Sequence, residues 1–547
     1  MCANLKIGAL GVALAAISLV SAPPAAAQHD HRPAPAESLG KVDFRTSCSP
    51  AVRDAFNRSV ALLHSFEFSS AIAAFSAVLQ REPSCAVAHW GIVLSHWGNP
   101  FAGLRQPAVI ERGQAAIARA RAWTGGTLDA RERAYFDAAT TLFDDAPKRP
   151  QRERTLAYER AMEALVRAYP DDMEASIFYA LAVNQTALAT DKTYANQIKA
   201  VGILEPLYQK HPDHPGLAHY IIHAYDHPPL APRALDAARR YAKIAPSAPH
   251  ALHMPSHTFT RVGYWQDSIA TNIASAEVAS KLGTHGEVLH ALDYQTYAYL
   301  QLAQDAAARR VLDRLGEVRA VFDPEAIGGA ASGAAGLFAL AAIPARYALE
   351  RGAWADAAAL ETRPTAFAWV DAVSHFARAL GAARGGSPAA ARVDIDRLKT
   401  LGEKLAGMQE SYWAGQVDVQ RRTAEAWVAF ADGRRDDAIA MLRAAAEAED
   451  ATDKSAVSPG PLAPARELLG EMLLEAGRPK DALVAFEATM AKEPNRFRGI
   501  AGAMRAAEAA GDRTLAATHA RQLLEIAKSA DSDRPDLVRA RQLAGKT

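Results

Sequence analysis

The chain has 547 residues, with 61 Lys+Arg against 61 Asp+Glu, and is 50% hydrophobic and 22% charged. This is globular composition, long enough for about three to four domains of ~150 residues, and it excludes wholesale disorder. The absence of net charge also excludes a general nucleic-acid or anionic-membrane binder, since those carry a basic excess.

Residues 1–27 read as a cleavable export signal. Lys6 supplies the positive region, Ile7 to Ala22 the apolar run, and Ala25-Ala26-Ala27 the small-residue cleavage site before Gln28. The apolar run is too short for a membrane span, which needs about 20 apolar residues. No later stretch competes with it, so the mature chain is expected to lack a transmembrane segment and to be periplasmic or secreted. Cys2 precedes the apolar run, which is too early for a lipoprotein cysteine. Residues 28–41 are rich in His, Pro and Ala and read as a flexible leader; His29, Asp30 and His31 are read as solvated rather than metal-chelating.

Cleavage leaves Cys48 and Cys85. In an oxidising compartment such a pair reads first as a disulfide, ahead of two free thiols or metal ligands. A bridge closing ~37 residues would contribute roughly 3–4 kcal/mol on the chain-entropy account.

The remainder is Ala- and Leu-rich with helical periodicity and a recurrence near 34 residues. Its clearest unit is Leu469, Gly470, Leu473, Gly477, Ala482, Phe486 and Pro494, at positions 7, 8, 11, 15, 20, 24 and 32 of a tetratricopeptide (TPR) repeat. Small residues at positions 8 and 20 let the two helices of a unit approach, and Pro at 32 ends the second helix. The expected fold is all-α, a TPR-type helix-hairpin superhelical solenoid. Composition breaks divide it into an N-terminal TPR-like array with a His-rich groove (42–323), a Gly-rich hinge (324–336), middle helical repeats (337–448), a Pro/Gly-containing linker (449–464) and C-terminal TPR repeats (465–547).

The histidines are not scattered; they cluster between His211 and His257. With Pro212 and Pro246 both at position 32, His219 and His223 take positions 5 and 9, and His250, His253 and His257 take 2, 5 and 9 of the next repeat. In TPR arrays, positions 2, 5, 9, 12 and 13 line the concave groove. Residues four apart share a helical face, and neighbouring helices pack at about 8–10 Å, so the two pairs should converge. Asp226 and His227 extend the patch by one turn; His290, Asp293 and Tyr297 continue it in the following repeat, and Arg346 and His375 lie beyond the hinge. First-choice metal ligands are His219, His223, His253 and His257, with Asp226 and Asp293 as carboxylate alternates. His227, His250, His290, Tyr297, Arg346 and His375 are expected to line a ligand groove, His250 and His290 serving also as alternate metal ligands. Imidazole and carboxylate suit Zn, Cu or Fe. A polar ligand groove without metal, and repetition by duplication alone, remain open alternatives.

Pro255 breaks the pattern, since an interior proline costs about 3 kcal/mol in a helix. Either the site carries that cost, or a helix starts at Pro255 and His250 and His253 lie on a loop. Trp90 and Trp97 fall near groove positions and are read as packing residues ahead of ligand-stacking ones.

Several segments together resemble a family of exported bacterial TPR proteins: Leu217-Ala-His-Tyr-Ile-Ile-His-Ala-Tyr-Asp226, His250-Ala-Leu-His-Met-Pro-Ser-His-Thr-Phe259, His64-Ser-Phe66, Cys85-Ala-Val-Ala-His-Trp-Gly91 and Pro459-Gly-Pro-Leu-Ala-Pro-Ala-Arg-Glu-Leu-Leu-Gly470. The resemblance runs over nearly all of the mature chain and is most specific in the His-x-x-His-Met-Pro-Ser-His string. It implies an exported helical-repeat protein and carries over no activity.

The phosphate-cradling loop G-x-x-x-x-G-K-[ST], G-x-S-x-G, H-E-x-x-H and C-x-x-C are all missing, which argues against the common ATPases, α/β-hydrolases, zinc proteases and thioredoxin-like enzymes. Three functions stay in play, in this order: a scaffold holding a protein or peptide partner in its groove, a transition-metal site built on the stacked histidines, and a metal-free His/Asp catalyst. The sequence leans against an enzyme.

Overall fold

The computed structural model describes Met1 and residues 37–545. Apart from Met1, the expected export signal lies outside the described residues, as do His29, Asp30 and His31. The described chain is all-α: helices joined by short loops follow one another from Pro50 to Ala544, with no strand among the described residues. Each helix packs mainly on its sequence neighbours.

The local causes are legible. In the helix Arg435–Asp450, Ala438, Ile439, Leu442, Ala445 and Ala446 are buried, the i, i+1, i+4, i+7, i+8 stripe of a one-sided helix. Asp129 and Glu132 form a reciprocal capping box at the start of Ala130–Thr140, and Asp172 caps Met173–Gln185; such caps contribute about 1 kcal/mol. Phe486 sits between Gly470 and Gly502, where a Cβ would come within 2.8 and 2.2 Å of its ring. Those glycines let three helices close on one aromatic side chain.

Cys48 and Cys85 are joined by a disulfide, with Cα atoms 4.8 Å apart. Trp90 is packed among Phe44, Tyr135 and Phe178. Trp97 lies against Phe143 with Arg105 over its ring. The described end of the leader is tied down: Lys41 N–H donates to Asp213 O, and Ser38 exchanges hydrogen bonds with Ser247.

Two loops reach far from their place in the chain. Residues preceding the helix Gly333–Leu349 are bonded at Gly328 O to Ser69 N–H, at Ala330 O to Asn99, and at Ala331 N–H to Glu287. Between the helices Arg435–Asp450 and Ala465–Glu475 runs a strap that meets residues over 200 positions earlier. Asp453 binds Lys192 and His227, and Lys454 binds Asp226. Helices of a strict open array touch only their neighbours. Here the C-terminal helices also meet the middle of the chain: Arg496 donates to Tyr297, Phe497 N–H to Gln301, and Arg534 pairs with Asp305.

Candidate metal centre

Pro215 opens the helix Pro215–Ala224, and its fixed φ suits that first position. His219 and His223 follow on one face, four residues apart. Pro249 opens a short helix, Pro249–His253, and Pro255 opens the next, Pro255–Val262. The proline is therefore not inside a helix, and His250 and His253 are helical rather than on a loop. The chain turns at Met254, whose N–H bonds His250 O while its own carbonyl accepts His257 N–H. The helix His285–Gln301 adds His290 and Tyr294.

These helices assemble two groups of three histidines. His219, His223 and His250 bring one ring nitrogen each to within 4.8 Å of one another, and so do His253, His257 and His290. All six are between 0 and 6% exposed. The triads are adjacent: ring centroids are 5.9 Å apart for His223–His257 and for His250–His253. The four histidines related by the 34-residue repeat are thus split two and two, and His250 and His290 complete the sets.

Hydrogen bonds fix the tautomers in the second triad. The Asn272 amide spends its N–H on Ser268 O at 2.7 Å, so its oxygen faces His253 Nδ1 at 2.7 Å, and that nitrogen carries the proton. Asp226 faces His257 Nδ1 at 2.9 Å. Burial alone would raise the Asp226 carboxyl, but Lys454, Arg261 and His257 hold it well below the ordinary carboxylate range, so the His257 proton is also on Nδ1. Both Nε2 atoms are then unprotonated acceptors that face each other at 3.0 Å; the Tyr294 hydroxyl, 3.3 Å away, can donate to that of His257, and among the described residues no donor meets that of His253. Burial and neighbouring histidines push His253 well below its ordinary pKa, and burial lowers His257 too, so neither ring supplies a second proton near neutrality. A buried acceptor without a donor costs about 1–3 kcal/mol; a cation between the two nitrogens removes that cost. Two nitrogens about 2.0–2.1 Å from one tetrahedral metal lie about 3.3–3.4 Å apart, close to the distance observed.

The first triad is arranged alike, except that its two facing nitrogens can share a proton. His219 donates Nδ1–H to His64 O at 2.6 Å and turns Nε2 toward His250 Nε2 at 3.1 Å. The His250 Nδ1 atom has no partner, so this ring is free to carry its proton on Nε2 and donate it to His219. His223 Nε2 is buried and unpartnered. Burial pushes His219 and His290 down to about 3, so all these rings stay neutral, the form that binds metal. Phe66 stacks on His250 and Phe101 on His223, walling the triad with apolar surface.

A third group, His64, Glu174 and His214, is closed by its own bonds. Each Glu174 oxygen meets one imidazole, at 2.8 and 3.0 Å. Its contribution to the first triad is the His64 carbonyl that orients His219, the outer-shell contact metal-binding histidines use.

The other expected residues serve elsewhere. Asp226 orients His257 and pairs with Arg261 and Lys454. Asp293 joins neither triad; it is spent on Arg346, both fully buried, and Arg346 also holds Ser458 Oγ and Pro461 O. Tyr297 accepts from Arg496, His227 is bound by Asp453 and Gln197, and His375 pairs with Asp394 outside the triads. The chain's own strap lies against this patch: the Tyr294 hydroxyl meets Ala456 O at 3.2 Å, and Lys454 lies beside Asp226.

Three residues went unnoticed in the sequence. Tyr294 stands one turn after His290, its hydroxyl 3.3 Å from His257 Nε2. Glu67 and Glu287 form a buried acidic pair beside the triads. Burial, and for Glu67 also the charge of Glu287, pushes them up to about 8 and about 7. Glu67 accepts His250 N–H at 3.4 Å. The spacing Glu287-x-x-His290 was a usable signal, because it puts both side chains on one helical face.

No helix among the described residues is long and apolar enough to cross a membrane. Compared with known proteins, the chain matches no family model and no curated protein.

Proposed function

We propose that this chain is an exported TPR-type repeat protein that holds transition-metal ions in two adjacent, enclosed three-histidine sites. The observation that carries the reading is the pair of unprotonated Nε2 atoms of His253 and His257 facing each other at 3.0 Å, each ring already committed through Nδ1–H and only that of His257 in reach of a donor, the Tyr294 hydroxyl. An outer acceptor on the distal nitrogen is the arrangement that orients a metal-binding histidine and raises its basicity. All-imidazole donor sets suit Zn, Cu and Fe rather than Ca or Mg.

The solenoid reading is supported by the succession of neighbour-packed helices and by Phe486 lodged between Gly470 and Gly502 at repeat positions 24, 8 and, one repeat on, 6. Export is supported by the Cys48–Cys85 disulfide, since such bonds persist in oxidising compartments. Metal binding ranks ahead of a peptide scaffold at the histidines because the strap occupies that surface.

The test is the metal content of untagged full-length protein, before and after reconstitution, beside a His253→Ala/His257→Ala variant. We expect near-stoichiometric Zn, Cu or Fe that falls by about one equivalent in the variant. A folded protein that stays metal-free after reconstitution overturns the reading.

A further inference from the structure

Three histidines leave a metal short of a complete shell, and a phenol stands beside the second triad. Tyr294 is fully buried on the helix His285–Gln301. Its ring lies among all three histidines of the second triad, with centroids 4.7 Å from His253, 5.1 Å from His257 and 5.2 Å from His290. Its hydroxyl oxygen is 3.3 Å from the same His257 Nε2 that faces His253 Nε2 at 3.0 Å. Those separations match the edges of a tetrahedron of donors around one metal, about 3.3 Å.

The hydroxyl has one proton and three acceptors around it: His257 Nε2, Ala456 O at 3.2 Å and Ser458 O at 3.4 Å. A tyrosine present only to tie the strap would need the two carbonyls alone. Here its oxygen instead stands at ligand-to-ligand distance from an imidazole nitrogen whose other face is fixed by Asp226. Asp226 is itself neutralised by Arg261 and Lys454, so the triad brings no anionic donor of its own. A phenolate would supply one.

We propose that Tyr294 is the fourth ligand of the second triad, giving a three-histidine, one-tyrosinate centre suited to a cupric or ferric ion. This rests on the metal-binding reading above. Ligation breaks the phenol O–H bond and forms the oxygen–metal bond; the proton leaves to solvent and the metal keeps its oxidation state. A hard anionic oxygen beside three imidazoles favours ferric ion over zinc by its charge, and cupric ion over zinc by its place in the Irving–Williams order.

The experiment adds cupric ion to metal-free, full-length protein and to the Tyr294→Phe variant, which removes one oxygen. Copper bound per chain is measured beside the visible absorption and the resonance Raman spectrum excited within it. We expect the wild-type protein to show a phenolate-to-copper charge-transfer band with tyrosinate ring modes. The variant should lose that band completely while binding the same number of copper ions. Stoichiometric copper without the band in the wild-type protein overturns the proposal whatever the variant does. So does a band that survives in Tyr294→Phe. Failure of the wild-type protein to take up copper, and zinc or iron offered in its place, overturns the metal-binding reading itself, a result distinct from the other two.

Discussion

His253 and His257 point their Nε2 atoms at each other across 3.0 Å while Asn272 and Asp226 hold the opposite ring nitrogens. The relationship follows from four-residue spacing across a helix break, since Pro255 ends one short helix and begins the next. It also ranks the two triads. His250 is free to donate to His219, whereas His253 and His257 have no proton to share between their facing nitrogens, and the Tyr294 hydroxyl reaches only that of His257. The second triad should therefore fill first. Titration of metal-free protein should show the first equivalent abolished by His257→Ala and retained in His219→Ala, read by isothermal calorimetry.

Acid should unfold the metal-free protein early. The folded pKa values of His219 and His290 lie near 3, below the ordinary 6.5, so the unfolded chain binds more protons between those limits. Stability is fully present above pH 6.5 and is lost as pH falls toward 3, by up to about 1.4 kcal/mol per pH unit for each such histidine. Urea midpoints measured from pH 8 to pH 5 should fall steeply, and bound metal should flatten the curve near neutrality.

The acidic pair acts in the opposite direction. Glu67 and Glu287 are raised from 4.5 to about 8 and about 7, so their contribution is present below pH 4.5 and is lost as pH rises through 7 to 8. Glu67→Gln should leave the urea midpoint nearly unchanged at pH 4 and raise it increasingly from pH 6 to pH 9. A variant less stable than wild type at pH 9 contradicts this account.

Asp293 and Arg346 form a fully buried ion pair. Asp293→Ala strands the guanidinium and should cost roughly 3–5 kcal/mol. Asp293→Leu/Arg346→Met removes both charges and should cost less than the single change, although it also frees Ser458 and Pro461. Chemical denaturation of the three proteins decides the order.

Gly460 lies against Tyr297, where a Cβ would sit 2.7 Å from the hydroxyl. Gly460→Ala should lift the strap. Limited proteolysis should then cut within 451–464 faster than in wild type, with far-UV circular dichroism unchanged.

Helices and their spacing were the legible part of this molecule. Pro215 and Pro249 mark equivalent repeat positions, and the His219/His223 and His253/His257 pairs follow from four-residue periodicity. The partition into triads was not legible, because the third member of each comes from a different helix: His250 from the short turn before Met254, and His290 from the next repeat. Asp226 and Asp293 read as ligands only until Arg261, Lys454 and Arg346, distant in sequence, are seen to claim them. The strap was hardest of all. Its composition says loop, and nothing local says that Asp453 will meet His227, 226 residues away.

That strap sets a clock. On the metal-binding reading, a chelator would reach the second triad through a local opening in which Asp453, Lys454 and the backbone at Ala456 let go, with its own rate. Once chelator is in excess, adding more cannot hasten release. Dwell time of an ion held there would then be a property of the polypeptide, tunable by residues that never touch it.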